Sequence, residues 1–228
     1  HGGGPFINKQ LEQQGRKVEF VQGFRVTDEK SMSIVEDSLT QVNRELVQEI
    51  NSLGASAISL SGKDDHLIMT KKHADIGGVD IGYVGDVKRV NADIVEKMVT
   101  SDIIPVIAPI GVGQDGYAYN VNADIAAAEI ARMMKALKFV LLTDVDGIMM
   151  NPEDQGTLIT HLAVNQVDEL IEKGVITSGM IPKVKACLRS MDRGVKKAHV
   201  INGTVPHALL LEIFTDKGVG TEITKRQM

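Results

Sequence analysis

The apolar residues along this 228-residue chain alternate between helical spacing and short continuous runs. Residues 32–53 place Ile34, Val35 and Leu39 on one face, which predicts an amphipathic helix that stops at Gly54. Because such helices alternate with apolar runs of strand length, the pattern predicts an α/β protein. Its central sheet is expected to be mainly parallel and covered by helices on both faces.

The same reasoning assigns the remaining elements. Helices are predicted over residues 91–100, 124–137, 164–173, 181–193 and 206–214. Buried strands are predicted over residues 55–60, 103–110, 138–143 and 198–201. Glycines punctuate residues 65–89, which predicts hairpins there. The elements connect without a long linker, so we expect one domain with two lobes, of about residues 1–125 and 126–228.

Composition and charge narrow the classes of function. The net charge is −5 and no run of lysine or arginine stands out, which argues against a nucleic-acid partner. The single cysteine, Cys187, excludes an intrachain disulfide and is expected in the core, and no Cys/His cluster predicts a metal site. No apolar run is long enough to cross a membrane, and no signal peptide is visible. We therefore expect a cytoplasmic protein, without metal ligands of its own.

The chain opens on His1-Gly2-Gly3-Gly4-Pro5, without an initiator methionine, which predicts that it belongs to a longer protein. Glycines let the backbone approach a ligand closely, so their N–H groups are candidates to bind an anion. A plain turn is the alternative for these glycines.

The segment QGFRVT places Arg25 just before a helix that starts at Thr27 or Asp28. A guanidinium there is a candidate clamp for a carboxylate, and a solvated surface arginine is the alternative. The segment NVNAD precedes the helix at 124–137, and Asn122 or Asp124 is either a helix cap or part of a ligand edge.

The segment TDVDGI directly follows the apolar run 138–143. Its two aspartates are candidates to contact a ribose or a metal-bound phosphate, and an acidic turn closed by Gly147 is the alternative. The segment TSGMIPK places Lys183 in the first turn of the helix at 181–193. A cation opposes the helix dipole there, which favours a bound anion nearby, and a solvated lysine is the alternative.

Taken in order, the segments HGGGP, QGFRVT, GYVGDV, NVNAD, LLTDVDGI, TSGMIPKV and VPHALLLEIFTDKGVGT resemble the acetylglutamate kinases of the amino-acid kinase superfamily. Each segment is weakly specific alone, whereas the ordered set covers essentially the whole chain. The resemblance implies a three-layer αβα sandwich with a mainly parallel sheet. It also implies a first strand with a Lys-Gly-Gly-type segment that this chain lacks.

The resemblance further implies an N-terminal lobe that binds N-acetyl-L-glutamate and a C-terminal lobe that binds ATP with Mg²⁺. The implied substrate ligands are Gly3, Gly4, Arg25 and Asn120. Catalysis would rest on Lys183, which stabilises the transferred phosphoryl group, and on Asp124, which orients lysines. The implied nucleotide-binding residues are Asp144, Val145, Asp146, Gly147, Ile148, Met149, Val175, Ile176, Thr177, Gly179 and Met180.

The C-terminal segment resembles the arginine-inhibited members of the family. Glu212, Gly218 and Gly220 would then help to bind L-arginine as an inhibitor, although a terminal packing helix explains the same stretch. The resemblance implies a homodimer, or a hexamer built as a trimer of dimers. Two alternatives stay open, namely another amino-acid kinase substrate and a non-catalytic fragment that binds arginine or a nucleotide.

Overall fold

The computed structural model describes residues 1–151, 153–177, 179–215 and 218–225. Ser178 of the TSGMIPK segment lies outside the described residues, as do Asp216 and Lys217 of the C-terminal segment. The chain forms two compact units, unit 1 of His1–Ile130 and unit 2 of Ala131–Met228.

Unit 1 contains three helices and eight short strands among its described residues. The helices are α1 (Gly4–Gln13), α2 (Glu29–Ser52) and α3 (Asp93–Thr100). The strands are β1 (Phe20–Val21), β2 (Phe24–Arg25), β3 (Ala57–Ser61), β4 (Ile68–Lys72), β5 (Gly85–Val90), β6 (Ile104–Ala108), β7 (Ile110–Gly113) and β8 (Ala118–Asn120). Helix α4 (Ala123–Met133) begins in unit 1 and ends in unit 2.

The described part of unit 2 repeats the strand–helix alternation. Its helices are α5 (Val167–Glu172), α6 (Ile181–Met191) and α7 (Ala208–Phe214). Its strands are β9 (Lys138–Thr143), β10 (His161–Ala163), β11 (Lys197–Asn202) and β12 (Thr221–Thr224). Helices α6 and α7 both pack against β11.

The sheets of both units are mixed. In unit 2 the strand order is β10-β12-β11-β9, in which β11 runs parallel to β9 and antiparallel to β12. In unit 1, β3 pairs with β6 in parallel, and a second sheet has the order β5-β4-β7-β8. The α/β class predicted from the alternation is thus confirmed, and antiparallel pairs accompany the parallel pairs.

Helix α2 forms where the apolar pattern predicts it. The Asp28 carboxylate caps the helix by accepting a hydrogen bond from the Ser31 N–H at 2.8 Å. Val35 and Leu39 are buried in a core cluster with residues of α1 and β7. Beyond the helix, Gly54 takes the left-handed conformation with φ 89°.

The pattern missed helix α1, because a glycine cluster favours a turn. In the structure Gly3 is the N-cap and Pro5 lies in the first turn, where its missing N–H costs nothing. Ile7 and Leu11 are four residues apart and bury one face of the helix. The side chains after the glycines therefore decide the local structure.

Two predicted elements differ clearly from the structure. Helix α4 ends at Met133 rather than at residue 137, because Lys135 adopts φ 49° and the Ala136 N–H bonds to the Ala131 carbonyl. The strand predicted over 103–110 is two strands, β6 and β7, separated at Pro109. It is also only partly buried, since Ile104 is 46% exposed.

All three tyrosines of the chain lie together in unit 1. The ring of Tyr83 stands 5.8 Å from that of Tyr117 and 6.0 Å from that of Tyr119, measured between centroids. The Tyr119 hydroxyl donates to the Asp115 carboxylate at 2.6 Å. The single cysteine, Cys187, is buried in unit 2, as predicted.

Candidate functional site

A pocket of about 440 Å³ opens at the carboxyl ends of β9 and β11 in unit 2. Ligands of open α/β sheets bind at such strand ends. The pocket is lined by Asp144, Val145, Asp146, Gly147, Ile148, Met149, Val175, Thr177, Met180 and Asn202. Nine of these ten residues are in the nucleotide-binding set expected from the sequence. Of that set, Ile176 is instead buried in the core, and Gly179 is not among the lining residues.

Hydrogen bonds fix the loop that follows β9. The Thr143 hydroxyl bonds to the backbone of Val145, and the Ile148 N–H donates to the Thr221 hydroxyl at 2.8 Å. Gly147 has φ 142°, and a Cβ at this position would lie 2.7 Å from the Thr221 hydroxyl. The loop therefore needs glycine at position 147, and its shape is set before a ligand binds.

Asn202 is the lining residue that sequence reasoning missed. It is the last residue of β11, and its amide nitrogen donates to the Asp146 carboxylate at 2.7 Å. The signal available in the sequence was its position, since Asn202 directly follows the predicted strand 198–201 and precedes Gly203.

Lys183 lies in the first turn of α6, as the sequence predicted. That turn contains no acidic residue, and the Lys183 side chain is half-buried. A cation at this position opposes the helix dipole, which favours a bound anion nearby.

Arg25 in unit 1 is a buried cation, which excludes the alternative of a solvated surface arginine. Arg25 is 7% exposed, and its Cζ lies over the Phe20 ring, 4.7 Å from the ring centroid. Nη2 donates a long hydrogen bond of 3.4 Å to the Gly4 carbonyl, while Nη1 has no partner among the described residues. Burial lowers the pKa of Arg25 below its ordinary value. A desolvated donor of this kind favours a bound anion.

The other predicted substrate ligands of unit 1 lie close to Arg25. Gly3 and Gly4 form the N-terminus of α1, where the first N–H groups have no acceptor within the helix. The Asn120 amide donates to the Thr27 hydroxyl at 3.2 Å, and Thr27 in turn donates to the Arg25 carbonyl at 2.8 Å. The structure thus links Gly4, Arg25 and Asn120 through hydrogen bonds.

At the start of α4, Asn122 rather than Asp124 acts as the cap. The Asn122 side chain accepts a hydrogen bond from the Ile125 N–H at 3.1 Å. Asp124 is the second residue of the helix and is half-buried. Its carboxylate is therefore not needed as the cap.

The Glu212 carboxylate is an internal anchor of unit 2. One oxygen lies 2.7 Å from His199 Nδ1, and the other accepts from the N–H groups of Val219 and Gly220 at 2.7 and 3.1 Å. Gly218 has φ 61°, and a Cβ there would meet the same carboxylate at 2.7 Å. Gly218 and Gly220 therefore both lie against the carboxylate of Glu212 in helix α7.

Within the described residues, no group of three His, Cys, Asp or Glu side chains is arranged to hold a metal ion. Among the same residues, no helix is both long and apolar enough to span a membrane.

Comparisons with known proteins assign the fold to a family. Residues 1–202 match the sequence model of the Amino acid kinase family. Acetylglutamate kinase of Petrotoga mobilis is 50% identical over 226 residues, which cover 99% of this chain and 75% of that protein.

Solved structures agree with this assignment. The smu.665 protein from Streptococcus mutans UA159 superposes with a TM-score of 0.82 at 30% identity, over 99% of this chain and 84% of that one. N-acetylglutamate synthase from Neisseria gonorrhoeae, solved with coenzyme A and L-arginine, gives a TM-score of 0.85 at 25% identity, over 99% of this chain and 53% of that one. The fold is the three-layer αβα sandwich expected from the sequence. The chain therefore belongs to the amino acid kinase family and, within it, groups with the acetylglutamate kinases.

Proposed function

We propose that this protein transfers the γ-phosphoryl group of ATP to the γ-carboxylate of N-acetyl-L-glutamate, in arginine biosynthesis. The products are N-acetyl-L-glutamyl 5-phosphate and ADP. The observation that carries the proposal is Arg25, a buried guanidinium beside the first turn of α1, whose Nη1 has no hydrogen-bond partner in the part of the chain that the structure describes. It suits an α-carboxylate, and the similarity to acetylglutamate kinases at 50% identity supports the same substrate.

In this proposal the residues of unit 1 hold the acid. Arg25 binds the α-carboxylate, backbone N–H groups of Gly3 and Gly4 bind substrate oxygen atoms, and Asn120 contacts the substrate from another side. The γ-carboxylate is already ionised at pH 7, since an ordinary glutamate pKa is about 4.3. No general base is therefore required.

The pocket of unit 2 would hold ATP. One γ-carboxylate oxygen forms a bond to the γ-phosphorus, and the bond from that phosphorus to the β,γ-bridging oxygen breaks, leaving its electron pair on ADP. Lys183 stabilises the negative charge on the transferred group, and Asp124 orients lysine side chains. Mg²⁺ would neutralise phosphate charge. Asp144 offers oxygen donors of the kind that it prefers, but the described residues offer too few of them to hold the ion without the nucleotide.

The test is an assay of ATP-dependent acyl phosphate, trapped with hydroxylamine, on the protein with whatever sequence its gene places before His1. N-acetylglutamate is compared with glutamate, aspartate and N-acetylaminoadipate. We expect Lys183→Ala to lower kcat by about 10²–10³-fold. The matched control Lys185→Ala, on an exposed position of the same helix, should leave kcat unchanged.

Each other outcome has a distinct meaning. Activity on another acid alone would keep the family and reject the substrate. A folded protein inactive on every acid would favour the non-catalytic reading, in which the chain binds arginine or a nucleotide.

We also propose that L-arginine inhibits the enzyme at the segment that contains Glu212, Gly218 and Gly220. The support is the solved complex of the related synthase with L-arginine, and Glu212 would shape this site through its hydrogen bonds to Val219 and Gly220. Inhibition by L-arginine should weaken in Glu212→Gln and persist in Glu169→Gln, an exposed control in the same unit.

A homodimer or a hexamer is the proposed assembly, and light scattering after size-exclusion chromatography measures it.

A further inference from the structure

Asn202 sits where two neighbouring parallel strands end at the pocket of unit 2. It pairs in register with Thr143, the last residue of β9. Both strand ends are joined, since the Gly203 N–H donates to the Thr143 carbonyl at 2.8 Å. The Thr143 hydroxyl also lies 3.3 Å from the Ile201 carbonyl oxygen. The backbone that carries Asn202 is thus tied to the start of the loop that lines the pocket.

The orientation of the Asn202 amide is fixed by its neighbours. Its oxygen accepts from the Thr204 N–H at 2.9 Å and lies 2.6 Å from the Thr204 hydroxyl. A backbone N–H can only donate, so the oxygen must face Thr204. The amide nitrogen then faces Asp146, whose carboxylate oxygen is 2.7 Å away.

This arrangement restricts an acidic side chain at the edge of the pocket. A carboxylate on an open loop samples several rotamers, whereas a charge-assisted bond to a fixed donor selects one of them. Asp146 is one of the lining residues, and a ribose offers neighbouring hydroxyl groups that donate well to a carboxylate.

We propose that Asn202 is a positioning residue for nucleotide binding, which holds Asp146 so that its carboxylate accepts a hydrogen bond from the ribose of ATP. Asn202 acts through Asp146 and does not take part in phosphoryl transfer. The inference rests on the proposed function only in taking ATP as the nucleotide.

The test compares ATP with 2′,3′-dideoxy-ATP in the wild type and in Asn202→Ala. In the wild type, loss of the ribose hydroxyls should raise KM by roughly tenfold or more, since hydrogen bonds to charged groups are the stronger ones. In Asn202→Ala, KM for ATP should rise by about tenfold while kcat changes less than about threefold. KM for the dideoxy nucleotide should stay near its wild-type value, so the preference for ribose is lost.

A merely structural role would weaken both nucleotides equally, and that result overturns the inference, as does an unchanged KM for ATP. Asn91→Ala is the matched control, because Asn91 is a half-buried asparagine that also bonds to an aspartate, Asp65, but lies in unit 1. Calorimetric titration with a non-hydrolysable ATP analogue and its dideoxy form reads the same preference without catalysis. The inference can therefore fail or hold independently of the acid that the enzyme phosphorylates.

If Asn202→Ala does not fold, Asn202→Asp keeps the size of the side chain and places a second carboxylate against Asp146. The two carboxylates would repel at neutral pH, so KM for ATP should improve as the pH falls and one of them takes up a proton. A KM that does not change with pH in this variant would equally overturn the inference.

Discussion

Replacing Arg25 with methionine separates the effect of a buried cation on the stability of the fold from its effect on substrate binding. Among the residues that the structure describes, the guanidinium donates one hydrogen bond of 3.4 Å, to the Gly4 carbonyl, and Nη1 has no partner. Its stacking on Phe20 contributes about 0.5–1 kcal/mol. Even buried ion pairs can often be exchanged for apolar residues of similar volume with a neutral effect, or with a gain in stability of about 1–4 kcal/mol. We therefore expect the free energy of unfolding of Arg25→Met, measured in urea, to equal or exceed that of the wild type.

Substrate binding should respond in the opposite direction. A hydrogen bond to a charged group contributes about 1.5–3 kcal/mol, so the loss of one such bond lowers kcat/KM for N-acetylglutamate by roughly 10- to 150-fold. Loss of a bidentate pair lowers it further. Arg25→Lys keeps the charge but lacks the planar fork, and its kcat/KM should also fall.

The two measurements together decide the role of Arg25. A methionine variant that is less stable by about 2 kcal/mol or more, with an unchanged KM for N-acetylglutamate, would make Arg25 a structural cation and refute the clamp.

Three further predictions concern the described part of unit 1. Asp28→Ala should lower the free energy of unfolding by about 1 kcal/mol at pH 7. The hydrogen bond from the Ser31 N–H holds the pKa of Asp28 below its ordinary 3.8. The contribution of Asp28 to stability is therefore present above pH 3.8 and fades as the pH falls through the folded-state pKa. Urea unfolding of the wild type and of Asp28→Ala at neutral pH and at a pH below this pKa tests it. Burial, assisted by Asp115, raises the pKa of Tyr119 to about 12 from 10.0, so an alkaline ultraviolet titration should show one late tyrosine that Tyr119→Phe removes. Because the neutral phenol is favoured, its stabilising contribution holds below pH 10 and disappears as the pH rises through about 12. Gly82→Ala places a Cβ 2.2 Å from the Thr27 carbonyl oxygen at φ 76° and should lower the free energy of unfolding by about 3 kcal/mol or more. Gly116→Ala is the control at φ 81° in open space and should lower it by about 1–2 kcal/mol. Thermal or urea unfolding measures both.

The elements with strong local signals were predictable. Strand β9 has the bounds read from its apolar run, although Leu142 near its end is 59% exposed. Gly174 and Gly194 both have positive φ where the pattern stops a helix. Local sequence carries this information because periodicity and glycine act within a few residues.

The features that the sequence did not predict depend on contacts between residues that are distant along the chain. Helix α4 stops at a left-handed Lys135, which no glycine or proline announces. Arg25 is buried by Phe20 and by Gly4, which is 21 residues away, so its exposure was not readable from the segment around it. Asn202 bonds to Asp146 across 56 residues, a pairing that only the parallel register of β9 and β11 creates. The roles of the site residues stay predictions until the assays above are made.

The tyrosine cluster has a practical consequence for spectroscopy. The chain has no tryptophan, and its three tyrosines all belong to unit 1, so absorbance and fluorescence of the intact protein near 280 nm report that unit alone. Cys187 is the single thiol and is buried in unit 2, so its reactivity towards a chromogenic reagent reports the opening of that unit. Two optical signals from the unmodified sequence can thus follow the two units separately during unfolding.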